Sequence, residues 1–155
     1  MASKTEPAKT EDEPSESVEI AFPLELSVEG VPLSLQASPD SKREWKAVVA
    51  NKARSSLQEG AWLTEAPVSV TIFYFPDGPM IGDVDNIVKP ILDSLNTVVY
   101  MDDQLVERVW VEKFEPEGVV TFSQPTAALA RALDTDRPVV YVRIDDRQSL
   151  EKSDD

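Results

Sequence analysis

Gly82-Asp83-Val84-Asp85-Asn86-Ile87-Val88-Lys89-Pro90-Ile91-Leu92-Asp93-Ser94-Leu95, with Tyr100-Met101-Asp102-Asp103 just beyond it, is the stretch around which the rest of the chain is arranged. Read as extended backbone, Asp83-Val84-Asp85 sends both carboxylates to one side and Val84 to the other. Ile87, Val88, Ile91, Leu92 and Leu95 recur at helical spacing and form one apolar arc, which predicts a helix starting near Asp85. Pro90 falls early enough in that helix to be tolerated. Asn96-Thr97 ends it and lets the chain turn back towards Asp102-Asp103. Lys89 lies one turn beyond Asp85, so a cation stands beside Asp83, Asp85, Asp102 and Asp103, four acids read as sharing one metal site.

On either side of this stretch the pattern is that of strands. Val68, Val70, Ile72 and Tyr74 alternate with Ser69, Thr71, Phe73 and Phe75, and Pro76-Asp77-Gly78-Pro79 stops the run. Leu105 to Phe114 reads as the next strand, closed by Glu115-Pro116-Glu117-Gly118. Beyond it the sequence predicts a short strand at Val119–Phe122, a short helix from Thr126 to Leu133 and a last strand at Val139–Ile144. Upstream, Val18–Leu26 and Val31–Gln36 read as a hairpin turning at Glu29-Gly30. Ser38-Pro39-Asp40 carries the signals of a helix start: a hydroxyl cap, a proline at the first position and an acid in the first turn. That helix should run to about Gln58 with Trp45, Val49, Ala53 and Leu57 as its inner stripe, Val48 beside it and Gly60 as its stop. The fold class is α+β: a single domain with a mixed β-sheet and two main helices packed on it.

Composition narrows the chemistry. The 155 residues contain no cysteine and no histidine, which removes disulfides, thiol nucleophiles, Cys/His zinc sites and Ser-His-Asp triads. Carboxylates without imidazole or thiolate favour a hard cation, Mg²⁺ with Mn²⁺ as substitute. The net charge of -14 opposes general attraction to nucleic acid or anionic membranes. No run approaches the roughly 20 apolar residues of a membrane span and no signal-peptide core is visible, so a soluble, cytoplasmic protein is expected. Residues 1–17, with two lysines against five acids, read as a disordered acidic tail, residues 18–146 as the folded domain, and residues 147–155 as a second acidic tail. The one basic cluster is Lys42, Arg43, Lys46, Lys52 and Arg54 on the first helix, either a solvated face or a strip that contacts phosphates. Trp45 reads as core.

Each acidic pair alone is bland, a cap beside a loop acid or a turn before a strand. Together, separated by one helix, they can converge where carboxylates hold metal at a phosphodiester. Tyr100-Met101-Asp102-Asp103 is also a signature of reverse transcriptases, but those place it at a strand–strand turn in a much longer chain. The whole pattern, Asp83 to Leu95 followed by Val99-Tyr100-Met101-Asp102-Asp103-Gln104-Leu105-Val106, closely resembles the RusA family of Holliday junction resolvases. Val28-Glu29-Gly30-Val31-Pro32-Leu33-Ser34-Leu35-Gln36 and the helix with Trp45 extend the likeness over about residues 24–115.

The resemblance implies a homodimeric, Mg²⁺-dependent endonuclease that makes paired symmetric nicks in four-way DNA junctions during recombination and repair. It carries catalytic roles onto Asp83, Asp85 and Asp103, with Asp102 adjacent, and onto Lys89. The bland alternative for Lys89 is an i,i+4 ion pair with Asp85. The alternative for the protein is an inactive module of the same scaffold that binds branched DNA or a protein partner.

Overall fold

The computed structural model describes residues 18–32 and 37–146. Strands β1 (Val18–Glu19) and β2 (Leu24–Glu29) precede helix α1 (Pro39–Ser56), and β3 (Ala61–Trp62) and β4 (Val68–Phe75) follow it. Helix α2 (Val88–Leu95), strand β5 (Val106–Lys113), helix α3 (Ala127–Asp134) and strand β6 (Val139–Asp146) complete the order. The main sheet is ordered β2-β6-β4-β5, with β6 antiparallel to both neighbours and β4 parallel to β5. A parallel pair cannot be joined by a tight turn. Residues 76–105 therefore form a crossover containing α2, and that crossover is the acidic stretch.

Alternation decides which side each strand buries. Leu24, Leu26 and Val28 of β2, Val140, Val142 and Ile144 of β6, and Val68, Val70, Ile72 and Tyr74 of β4 form one core with Trp45, Val49 and Ala53 of α1 and with Ile87, Ile91 and Leu95 around α2. Each large aliphatic side chain so buried contributes about 1.5–3 kcal/mol. The opposite face carries a smaller core, in which Phe75, Val139 and Tyr141 meet Leu129 and Ala132 of α3, with Phe73, Phe114 and Phe122 packed alongside. Phe73 and Phe114 meet edge to face at 5.2 Å. The expected α+β class with a mixed sheet is what the chain adopts.

The start of α1 follows its signals: the Ser38 hydroxyl accepts from the Ser41 N–H at 3.2 Å and Pro39 opens the helix. It ends at Ser56, because Leu57 is already extended, and Gly60 serves the turn beyond with a φ of +82°. Trp45, Val49 and Ala53 are buried as expected, whereas Val48 points to solvent.

The hairpin is corrected. Val18–Leu26 is broken before Leu24, where Pro23 has no N–H to give a ladder. From Leu24 the strand pairs with β6, not with the segment after Gly30. Val31 and Pro32 lie outside any strand, and positions 33–36 lie outside the described residues, as do the two tails at 1–17 and 147–155. Val119–Phe122 is irregular, with Phe122 drawn into the aromatic cluster in place of a ladder. No helix among the described residues is long and apolar enough to cross a membrane.

Candidate active site

The crossover is anchored at its start, before it reaches its acids. Beyond β4, the Met80 N–H donates to the Glu115 carboxylate at 2.9 Å, and Lys113 pairs with the same carboxylate at 3.0 Å. The Met80 N–H, then Lys113, hold the Glu115 carboxyl below its ordinary range. Gly82 takes a φ of +90°, which a side chain would strain. Asp83 follows in extended backbone, but Val84–Ile87 close into a 3₁₀ turn with the Asn86 N–H on the Asp83 carbonyl at 3.1 Å. The expected extended Asp83-Val84-Asp85 is thereby corrected. The turn buries Ile87 against the core, which an extended course continuing from Asp83 would not provide. Asp83 and Asp85 both stand exposed on this turn.

Helix α2 begins immediately afterwards, with Pro90 in its first turn and buried. Lys89 projects from that turn and its ammonium donates to Asp93 Oδ1 at 2.7 Å and to Asp103 Oδ2 at 3.3 Å. The hydrogen bond to Asp93, then that to Asp103, raise its pKa above the ordinary lysine value. Lys89 is therefore a fixed cation at neutral pH and not a base. Its i,i+4 partner is Asp93, not Asp85. From α1, Lys46 reaches the other oxygen of Asp93 at 3.8 Å. A chain of alternating charge thus runs Lys46–Asp93–Lys89–Asp103 and joins both helices to the segment before β5.

Asp103 reaches this position because the return from α2 is pinned. Thr97 adopts a left-handed φ of +65°, and its N–H bonds to the Tyr100 carbonyl at 2.7 Å. Tyr100 is fully buried and donates its hydroxyl to the Leu92 carbonyl at 2.8 Å. Burial first, then the nearby Asp103 and Asp93, raise its pKa well above 10. Tyr100→Phe should cost about 1 kcal/mol of stability at pH 7, since the Leu92 carbonyl keeps the Asn96 N–H at 3.2 Å. The cost should shrink above pH 10. There the unfolded tyrosine loses its proton while the buried one retains it, so this residue's contribution to the wild type falls as pH rises. Urea titrations of both proteins at pH 7 and pH 11 check this.

Asp102 serves a local cap: its carboxylate accepts from the Gln104 N–H at 2.9 Å at the start of the short 3₁₀ turn Asp103–Leu105. The four acids do not form a ready-made cluster, and among the described residues no three acidic side chains are gathered closely enough to hold a metal ion. Like charges repel; in this structure Lys89 is the cation against Asp103. The donor set nevertheless suits a hard divalent cation, because Asp83, Asp85 and Asp103 offer carboxylate oxygen and neither nitrogen nor sulfur.

The basic helix face is partly spent within the chain. Arg43 pairs with Asp40, Arg54 donates to Asn51 at 3.0 Å, and Lys46 faces Asp93. Lys42 and Lys52 lie on the same helix, Lys52 exposed. The sequence reading passed over Asp93, which positions Lys89, although the Lys89-x-x-x-Asp93 spacing was a signal for it. Glu115 was missed too, and no local pattern ties it to Met80, 35 residues away.

The chain matches none of the curated proteins. The family model described as Endodeoxyribonuclease RusA matches residues 34–121, more than half of the chain, and spans Asp83, Asp85, Lys89, Asp93 and Asp103. β2, α3 and β6 lie outside the matched span. The chain belongs to the RusA family of endodeoxyribonucleases.

Proposed function

We propose that this endodeoxyribonuclease is a Mg²⁺-dependent resolvase that cuts four-way DNA junctions by paired symmetric nicks, acting as a cytoplasmic homodimer in recombination and repair. The observation that carries the proposal is the Lys89 ammonium held between Asp93 and Asp103, in a segment that the family model covers. Asp83, Asp85 and Asp103 are the residues that would hold the cation, with Asp102 left to its cap. When bound, such a cation supplies charge neutralisation at the phosphate and activation of water. Lys89 stays protonated and donates to a non-bridging oxygen where negative charge grows. Asp93, held in turn by Lys46, keeps that ammonium aimed. With no histidine in the chain, no side chain with an ordinary pKa near 7 is available as a general base.

Lys42, Arg43, Lys46, Lys52 and Arg54 form the strip proposed to meet the DNA backbone. Two-fold symmetry of a four-way junction matches paired nicks by two sites related by a dimer axis. The dispersed acids and the net charge of -14 favour a second reading, an inactive module that binds branched DNA or a protein partner. One experiment separates them: labelled four-way junction and linear duplex are incubated with the protein in Mg²⁺ or EDTA. Paired nicks in the junction alone, abolished by EDTA, are the expected result. Binding without nicks in either buffer would sink the catalytic reading.

A further inference from the structure

Strand β5 is an edge strand: it pairs with β4 on one side, and among the described residues no strand pairs with its other side. Its residues from Glu107 to Trp110 are all exposed, and Trp110 keeps 58% of its surface. The register on β4 slips once, at Glu107, and then runs without interruption from Arg108 to Lys113; such an edge, with an exposed tryptophan and valine, is a template for another strand unless something covers it.

The sequence of this edge is complementary to itself. The part beyond the slip, Arg108-Val109-Trp110-Val111-Glu112, laid antiparallel on a second copy about Trp110, sets Arg108 opposite Glu112. Val109 then faces Val111, and Trp110 meets its own copy. From Arg108 to Glu112 each charged position finds the opposite charge and each apolar position an apolar one. Directly opposed side chains of antiparallel strands share a face, so these pairs are true neighbours.

We propose that β5 is the surface on which two copies of this chain join, in an antiparallel, two-fold pairing centred on Trp110 that makes one continuous eight-stranded sheet. The pairing is isologous and closes on itself, so it yields dimers and not fibres. Glu112, now accepting from the Trp110 indole at 3.1 Å, gains Arg108 as a second partner across the axis. The two Asp103 positions come to lie at opposite ends of the strand pair on one face. At ~3.3 Å per residue they stand no more than about 45 Å apart. The proposal deepens the homodimer part of the proposed function, and it is tested without DNA.

The test is sedimentation velocity over a concentration series, with thermal unfolding as a check on folding. Arg108→Glu places Glu opposite Glu twice in its dimer, and Glu112→Arg places Arg opposite Arg twice. Each should dimerise about tenfold more weakly than wild type. An equimolar mixture of the two should recover wild-type affinity, because the mixed dimer opposes Glu to Arg at both pairs; the double variant should recover it alone. Loss of the Trp110–Glu112 contact cannot account for such recovery. A mixture no tighter than its components, with wild type still dimeric, would overturn this surface and leave the homodimer reading standing. A wild type that stays monomeric at every concentration would overturn both.

Discussion

Asp103→Asn should lower the single-turnover rate of junction nicking by about a hundredfold or more while the protein unfolds at nearly the wild-type denaturant concentration. Asparagine keeps the shape of the side chain and removes its charge, so the change bears on what the carboxylate does and not on packing. In the folded chain the Asp103 side chain is about a third exposed and accepts from the Lys89 ammonium at 3.3 Å, an arrangement worth no more than about 1 kcal/mol to stability. If Asp83, Asp85 and Asp103 hold a hard cation as proposed, the substitution removes one negative oxygen ligand of three. Loss of a group that stabilises the reacting phosphate typically costs on the order of 3 kcal/mol of barrier. Raised Mg²⁺ should restore part of the rate if the defect lies in cation affinity. The check is the single-turnover rate at saturating protein across a Mg²⁺ series, and nicking at the wild-type rate would remove Asp103 from the chemistry.

Lys89→Ala should be as damaging to the rate and as mild to the fold. Its ammonium is half exposed and shared between two carboxylates, so screening by water keeps its stabilising effect within about 1 kcal/mol. If Lys89 serves only to hold the end of α2 against the β5 approach, nicking should change less than threefold. If it donates to the phosphate, the rate should fall about a hundredfold or more at matched junction occupancy, with binding affected much less. Lys89→Arg should rescue poorly, because a planar guanidinium cannot take the place of a compact ammonium between Asp93 and Asp103. Single-turnover rates of wild type, Lys89→Ala and Lys89→Arg separate the two cases.

Local signals in the sequence were reliable where a short segment decides its own conformation. The Ser38-Pro39 helix start, the alternation from Val68 to Phe75 and the arc Ile87-Ile91-Leu95 all depend on neighbours within two turns or one strand, and all appear as read. The misses came from partners distant in the chain. Whether Leu24–Glu29 pairs with residues just beyond Gly30 or with β6 is a choice between a cheap local turn and a long closure, and the three inward side chains of β2 decide it through burial. In the site, spacing named the acids but not their orientation. Asp102 caps a local turn, and Asp83 and Asp85 stand exposed about a 3₁₀ turn that the burial of Ile87 favours. The Asp93 link to Lys89 was legible as an i,i+4 pair; its link to Lys46 needs the packing of α1 on α2, which no local pattern encodes.

The place of β6 bears on how the molecule is made. Leu24 lies opposite Ile144 and Val70 opposite Ile144 on the other side, so the last strand is inserted between two that left the ribosome long before it. At about 5–20 residues per second, β2 waits several seconds for the one strand that pairs with it among the described residues, while β4, α2 and β5 can already assemble. During that interval the nascent chain carries two unpaired apolar edges, one on β2 and one on β4. A ribosome that pauses before residue 139 leaves a half-sheet exposed, and the candidate site, though its acids are all synthesised, rests on a β4 with no strand behind it.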